Sequence, residues 1–402
     1  MKRQKLLFLA HRFPYPPNRG DRIRSYNMLR VLAEHFEVSL GCTSDESVSD
    51  QQLDHMRQFC ERIHVAQLPK WSRRARAGRA LFKWQSLTEA MFTAPSLHRE
   101  VQRWHQSFHF DKAIVFCSSM YPYMNSTAFR GLTKIVDLVD VDSEKWKQMS
   151  AENRFPMSWV YGREAKTVRS LERKIGRESK LATLVSDAEA QLYRTSVSPT
   201  CQVLGVSNGV DTEYFSPIPD GTEKQTQTQD TIELVFTGVL DYSPNVEGMV
   251  WFCKRIMPEL RKQRDFRLKV VGRRPCSRVI ELDEIDGVQV VGEVPDVRPY
   301  LHDADIAISP LKLARGIQNK VLEAMACGLP AVVTPQSAEG IDAESGKEFW
   351  IADDSNEWIE SLLNLADCPN VRIETGSAAR ELVEQHYSWS AKMNCLVRAI
   401  NA

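Results

Sequence analysis

Residues 306–310, Ile306-Ala307-Ile308-Ser309-Pro310, and residues 316–333, Gly316-Ile317-Gln318-Asn319-Lys320-Val321-Leu322-Glu323-Ala324-Met325-Ala326-Cys327-Gly328-Leu329-Pro330-Ala331-Val332-Val333, decide the fold. Ile306–Ser309 and Ala331–Val333 are short apolar runs of strand length. Between them, Val321, Leu322, Ala324, Met325 and Ala326 give a helix an apolar face. Gly328 can end that helix in a left-handed conformation. Strand, loop, helix, strand is a βαβ unit, which builds a parallel sheet. The loop 311–318 delivers the helix start to the carboxyl edge of the sheet, where open α/β sheets bind ligands. Free N–H groups and the helix dipole suit a phosphate there.

The same alternation runs outward in both directions. Strands are predicted at 6–11, 38–43, 63–68, 113–118, 134–139 and 182–186, with helices near 21–35, 49–61, 97–107, 160–179 and 187–195. The second half predicts strands at 233–238, 267–272, 288–292, 305–309, 331–334 and 348–352. Its helices fall at 245–263, 297–304, 318–327, 355–366 and 376–386. A chain of 402 residues exceeds what one core usually holds, about 250–300 residues. The expectation is α/β with two Rossmann-like doubly wound domains: 1–205, a linker over 206–231, 232–386, and a terminal helix over 387–402. Residues 216–231 hold Pro217, Pro219, Gly221 and a Gln/Thr-rich run that cannot build a core.

Lys+Arg and Asp+Glu both number 52, so the formal charge is zero and a generally basic nucleic-acid binder is excluded. No apolar run approaches the roughly 20 residues of a membrane span. Nine cysteines without a C-x2-C pair predict reduced thiols in a cytoplasmic protein and no zinc site.

Lys320 and Glu323 are three apart on one helix face. They form either a solvated ion pair or a working pair, in which Lys320 meets a phosphate and Glu323 accepts hydrogen bonds from ribose hydroxyls. The stretch resembles the donor-binding signature of glycosyltransferase family 4 (glycosyltransferase group 1), a Glu, seven residues, then a Glu within E-A-M-A-x-G-x-P. Glu323 matches the second Glu, which in that family binds the donor ribose. The first falls on Arg315, so the position that in the family contacts the transferred sugar or the donor phosphate region carries the opposite charge. The Arg-Gly form, Arg315-Gly316, is similar to a bacterial exopolysaccharide-associated subgroup of sugar transferases.

Other segments resemble the family in the same order. Asn208-Gly209-Val210-Asp211 to Phe215-Ser216-Pro217 is similar to its interdomain signature, with Asp211 placed to cap the turn after it. Gly238, after the first strand of the second half, matches the glycine turn near the donor phosphates. The Arg and Lys that many relatives carry next are replaced by Pro244-Asn245-Val246-Glu247, so Arg273 or Arg274 is expected to supply the cation. Both could equally be an exposed loop pair. Gly20 matches the family's glycine loop after strand one, with Asp21 and Arg24 on the acceptor side. Arg24 would bind an anionic acceptor or pair with a surface carboxylate. Asp140 and Asp142 stand at the end of a strand as acceptor-side, catalytic or helix-capping groups. His11 and His109 read as structural.

The resemblance implies a GT-B fold whose two domains face each other across a cleft. It implies transfer of a sugar from a nucleoside-diphosphate sugar to a hydroxyl acceptor, with retention and without a metal or cofactor. Arg315, Asp140 and Asp142 are the catalytic candidates. Gly20, Gly238, Arg273, Arg274, Gly316, Asn319, Lys320 and Glu323 are the donor-binding candidates. The expected acceptor is a glycan or lipid-linked glycan of exopolysaccharide or other cell-surface assembly. Residues 70–84 hold six positive charges, no acid and three aromatic residues, which suits peripheral docking on an anionic membrane or a basic exposed helix. A sugar-nucleotide epimerase and a noncatalytic nucleotide-sugar-binding protein are the rival readings.

Overall fold

The apolar runs become strands of two parallel sheets in the computed structural model, which describes residues 3–69, 76, 78, 80, 86–218, 231–314 and 317–401. The first sheet holds β1 (Gln4–Ala10), β2 (Phe36–Ser44), β3 (Arg62–Gln67), β4 (Lys112–Phe116), β5 (Thr133–Val139), β6 (Leu181–Leu184) and β7 (Val203–Gly205). Their order is β3-β2-β1-β4-β5-β6-β7. The second holds β8 (Ile232–Thr237), β9 (Phe266–Val271), β10 (Val288–Gly292), β11 (Ile306–Ser309), β12 (Ala331–Val333) and β13 (Trp350–Ile351), in the order β10-β9-β8-β11-β12-β13. The chain is thus α/β, as the alternation predicts. Central strands are buried along almost their whole length because helices cover both faces; every residue of β8 is buried. Each sheet reverses direction once, between β1 and β4 and between β8 and β11. These switch points leave a crevice at the carboxyl ends of the strands.

The residues divide into two compact units, Met1–Asn208 with Lys392–Ala402, and Gly209–Ala391. The expected linker 206–231 is itself divided. Residues 219–230 lie outside the described residues, whereas 209–218 pack onto the second unit. There Arg380 donates to the carbonyls of Phe215 (2.7 Å) and Thr212 (2.9 Å). His302 meets the Ser216 carbonyl at 2.8 Å, and Asp211 accepts from the backbone of Glu213 and Tyr214. Of the helix Trp389–Asn401, Lys392 onward clusters with the first unit, where Lys112 donates to the Ile400 carbonyl at 2.6 Å.

Among the elements that differ from the sequence expectation, three bear on how the frame is held. β7 has three residues, too few to show a period. The predicted helix 245–263 breaks into Ser243–Arg255 and Met257–Arg261, because Pro258 has no N–H to continue the ladder. Asp142–Glu152 forms a helix beyond those the sequence pattern predicts. The long helix Met157–Glu178 explains how that helix is held. Its buried Glu172 accepts from the Ser143 backbone at 3.0 Å and hydroxyl at 2.5 Å. Two turns away, buried Glu164 accepts from Ser86, Leu87 and Thr88 at the start of helix Leu87–Phe92. One helix therefore caps the amino ends of two others from inside the fold.

Candidate functional site

In the second unit, the carboxyl ends of β8, β9 and β10 and the start of helix Asn319–Ala326 enclose a cavity of about 710 Å³. Its floor depends on two glycines. Gly238 follows β8 and Gly272 follows β9, and a Cβ on Gly272 would run into the Gly238 carbonyl. A Cβ on Gly238 would approach Asn245 Nδ2 to 2.9 Å and Lys320 Nζ to 3.2 Å. At Gly272 only glycine lets the two strand ends meet, and a side chain on Gly238 would push the asparagine and the lysine out of place. Helices Ser243–Arg255 and Asn319–Ala326 both start at this cavity, and neither start has a side-chain cap. At the second start, Asn319 and Lys320 line the cavity and their backbone N–H groups have no side-chain acceptor among the described residues.

Asn245 is buried and locks the corner. Its amide donates to the Val239 carbonyl at 2.8 Å, and its oxygen accepts from Lys320 Nζ at 2.5 Å. Lys320 Nζ also sits over the Phe236 ring, 4.6 Å from its centre. Neither partner carries a negative charge. Burial therefore pulls the ammonium down to about 8, although Glu323 opposes the shift. One turn on, Glu323 makes no side-chain hydrogen bond among the described residues. Burial pushes its carboxyl up to about 7, against the pull of Lys320. The two do not form the solvated ion pair of the simpler expectation, since no contact joins them within 4 Å. They are two half-desolvated charges, both lining the same cavity.

Arg273 and Arg274 line the pocket from the loop after β9. Arg274 has a left-handed backbone (φ 57°) and pairs with Asp241 at 3.1 Å. Arg273 is exposed and has no ion pair among the described residues, so it is the available cation. Asn319 also lines the cavity and is exposed. Arg315 and Gly316 lie outside the described residues, as do residues 70–84 apart from 76, 78 and 80. Asn245, Phe236, Gly272 and Glu293 line or support the pocket and were not among the sequence candidates. An asparagine opening an apolar helix was the sequence signal that pointed there.

The first-unit candidates gather at the carboxyl ends of β1, β4 and β5. Arg24 is not on the surface. It is buried, clasping buried Asp137 through two nitrogens (2.8–3.3 Å) and donating to Asn208 at 2.9 Å. The expectation of an acceptor-facing or surface-paired arginine gives way to an internal clamp. Asp21 accepts from Arg12 and meets His11 at 3.2 Å. Burial alone would push its carboxyl up, but the hydrogen bonds from His11 and Arg12 hold it well below the usual carboxylate range. His11 stacks on Phe116, as a structural histidine would. Gly20 opens helix Gly20–His35 with free space where a Cβ would go, so nothing in the fold demands glycine there. Asp140 pairs with Lys145. Asp142 is half-buried, and burial pushes its carboxyl up to about 6 with help from Asp140. Buried surroundings, then Asp142, Asp137 and Asp21, raise the Cys117 thiol. Cys117 (φ 73°) and Val139 (φ 68°) both hold left-handed backbones at this edge. For β-branched Val139 that conformation is strained. Among the described residues no group of three His, Cys, Asp or Glu side chains is set to hold a metal, and no helix is long and apolar enough to cross a membrane.

Residues 231–368 match the family model of glycosyl transferases group 1. An uncharacterised 44.6 kDa protein in the cps region of Klebsiella pneumoniae is 18% identical over 396 residues, covering 95% of this chain and 96% of that protein. A GDP-mannose-dependent monoacylated alpha-(1-6)-phosphatidylinositol monomannoside mannosyltransferase of Corynebacterium glutamicum is 25% identical over 247 residues. That alignment covers 54% of this chain and 61% of the mannosyltransferase. Among solved structures, Anabaena HepE in complex with UDP aligns at TM-score 0.63 and 13% identity, covering 99% of this chain and all of HepE. The fold is that of GT-B glycosyltransferases.

Proposed function

We propose, on the premise of a group 1 glycosyl transferase domain at 231–368, that the chain transfers a sugar from a nucleoside-diphosphate sugar to a hydroxyl acceptor. One observation carries this reading: Lys320 and Glu323, both desolvated and neither neutralised by a partner, line one cavity beside two glycines that a side chain would block. Glu323 accepts hydrogen bonds from the ribose hydroxyls. Lys320 and Arg273 face the diphosphate. As the bond to the sugar breaks, negative charge grows on the departing phosphate, and preorganised cations and N–H groups there lower the barrier. Arg315, which takes in sequence the position of the family's first Glu, is the further catalytic candidate of this reading.

The acceptor belongs to cell-surface glycan assembly, exopolysaccharide by the form of the Arg315-Gly316 signature. The Corynebacterium relative is named for a phosphatidylinositol mannoside, which supports a lipid-linked acceptor here. The basic aromatic stretch 70–84 would then hold the chain against an anionic leaflet from the cytoplasmic side. Transfer with retention and without metal follows from the family resemblance, with the acceptor held by the first unit.

The test is a thermal-shift panel of sugar nucleotides followed by transfer to a lipid extract with the stabilising donor. A true donor raises the melting temperature with the logarithm of its concentration over its dissociation constant. No stabilisation by any sugar nucleotide at millimolar concentration would refute the reading. Epimerised donor, formed without acceptor, would replace transfer by epimerisation.

A further inference from the structure

Three acidic side chains line the second-unit cavity. Asp241 is engaged by Arg274, and Glu323 is the ribose acceptor of the proposed function. The third, Glu293, is exposed and has neither hydrogen bond nor ion pair among the described residues. A free carboxylate is out of place in a pocket built for a diphosphate, because it repels the ligand unless some other part of that ligand meets it. Its position says which part. Glu293 directly follows β10, and β10 lies two strands from β8 in the sheet. Two spacings amount to about 10 Å. That is the reach from the phosphate corner at Gly238 and Lys320 to a nucleobase. Gly272 lies between, and Val294 and Val297 supply an apolar wall beside Glu293 for a flat ring.

We infer that Glu293 reads the base of the donor and that the base is guanine. This rests on the donor reading above and adds the nucleotide to it. An ionised carboxylate offers only acceptors, two oxygens side by side. Guanine presents two adjacent donors on one edge, N1–H and the N2 amino group, so the match is bidentate and charge-assisted. Uracil presents one N–H flanked by two carbonyl oxygens, which the carboxylate repels. Adenine presents an amino group beside the N1 acceptor, so only one bond forms. Asp241 cannot substitute for Glu293 in this role, because Arg274 already neutralises it.

Calorimetric titration of the full chain with GDP, IDP, UDP and ADP tests this. IDP is guanine's pairing edge without the N2 amino group. Each hydrogen bond to a charged group contributes roughly 1.5 kcal/mol, so GDP should bind about tenfold tighter than IDP. UDP and ADP should bind more weakly still. In Glu293→Gln the GDP-to-IDP ratio should fall to within about twofold, while UDP, relieved of the carboxylate, binds no more weakly than to the wild type. An unchanged melting temperature of the empty variant confirms that the fold is intact. A preference for UDP or ADP, or a GDP-to-IDP ratio that survives Glu293→Gln, overturns the inference and leaves the donor reading standing. No binding of any of the four overturns both.

Discussion

Replacing Glu323 by glutamine should make the empty protein more stable and a worse binder, and the size of the first effect follows from the site. Burial raises the carboxyl from 4.5 to about 7. An acid whose folded value exceeds its unfolded value gives full stability below the unfolded value, and loses it as pH rises to the folded one. The loss therefore develops between pH 4.5 and 7 and is complete at pH 8. A shift of roughly 2.5 units corresponds to about 3.4 kcal/mol as an upper limit. Glu323 keeps some solvent access, and screening reduces the penalty to about 1–2 kcal/mol. Glutamine is nearly isosteric and carries no charge, so it removes that penalty. For a unit of this size, about 2–4 °C per kcal/mol converts it to a rise of roughly 2–8 °C at pH 8. The rise should shrink toward pH 5. Donor affinity should fall about tenfold or more, since charge-assisted bonds to ribose are replaced by weaker ones. Thermal unfolding of the two proteins between pH 5 and 8, with and without sugar nucleotide, reads both effects. A variant no more stable than the parent at pH 8, or one that keeps parental donor affinity, would refute the reasoning.

Sugar-nucleotide affinity should follow a bell-shaped pH profile. It rises through about 7 as Glu323 ionises and falls above about 8 as Lys320 loses its proton, and calorimetry across pH 6–9 reads both limbs. Arg24→Met leaves Asp137 as a buried charge without its clamp and should cost about 3–5 kcal/mol in denaturant unfolding, partly recovered in Arg24→Met/Asp137→Leu. Gly272→Ala drives a methyl group into the Gly238 carbonyl and should displace the pocket floor. The expected cost is on the order of 1–3 kcal/mol of stability, with donor affinity lowered in parallel.

Much of the scaffold was legible in the sequence because buried parallel strands are continuous apolar runs, and β1, β4, β11 and β12 each show one. Glu323 and Lys320 were legible as a pair because they sit on the first turns of a helix that the βαβ pattern delivers to a sheet edge. What spacing could not reveal was their state. Three residues on a helix fit an ion pair as well as two separate charges, and the outcome turned on Asn245, distant in sequence and 2.5 Å from Lys320 in space. Arg24 shows the opposite failure. An arginine in the first turns of a helix reads as exposed, yet its partners Asp137 and Asn208 come from a strand more than a hundred residues away and from the end of the unit. Glu293 carried no sequence signal, since an acid after a strand is ordinary; only the loss of every neighbouring partner distinguishes it.

The two sheet edges show why the second unit and not the first identifies the chemistry. At the first edge, Asp21 is held by His11 and Arg12, Asp137 by Arg24, and Asp140 by Lys145. Charge there is largely neutralised within the fold, and what remains is the half-buried Asp142 beside a strained Val139. At the second edge, Lys320 leans on a neutral amide, and Glu323, Arg273 and Glu293 make no ion pair among the described residues. Unpaired charge taken out of water costs stability. It persists where a ligand compensates, and such shifted groups in a cleft mark functional sites. The compensating ligand must bring hydrogen-bond donors to Glu323, negative charge to Lys320 and Arg273, and paired donors to Glu293. Inorganic phosphate meets only the second demand and a simple sugar only the first. A nucleotide with a diol, a diphosphate and a donor-rich base edge meets all three in one molecule about as long as the strand spacing requires.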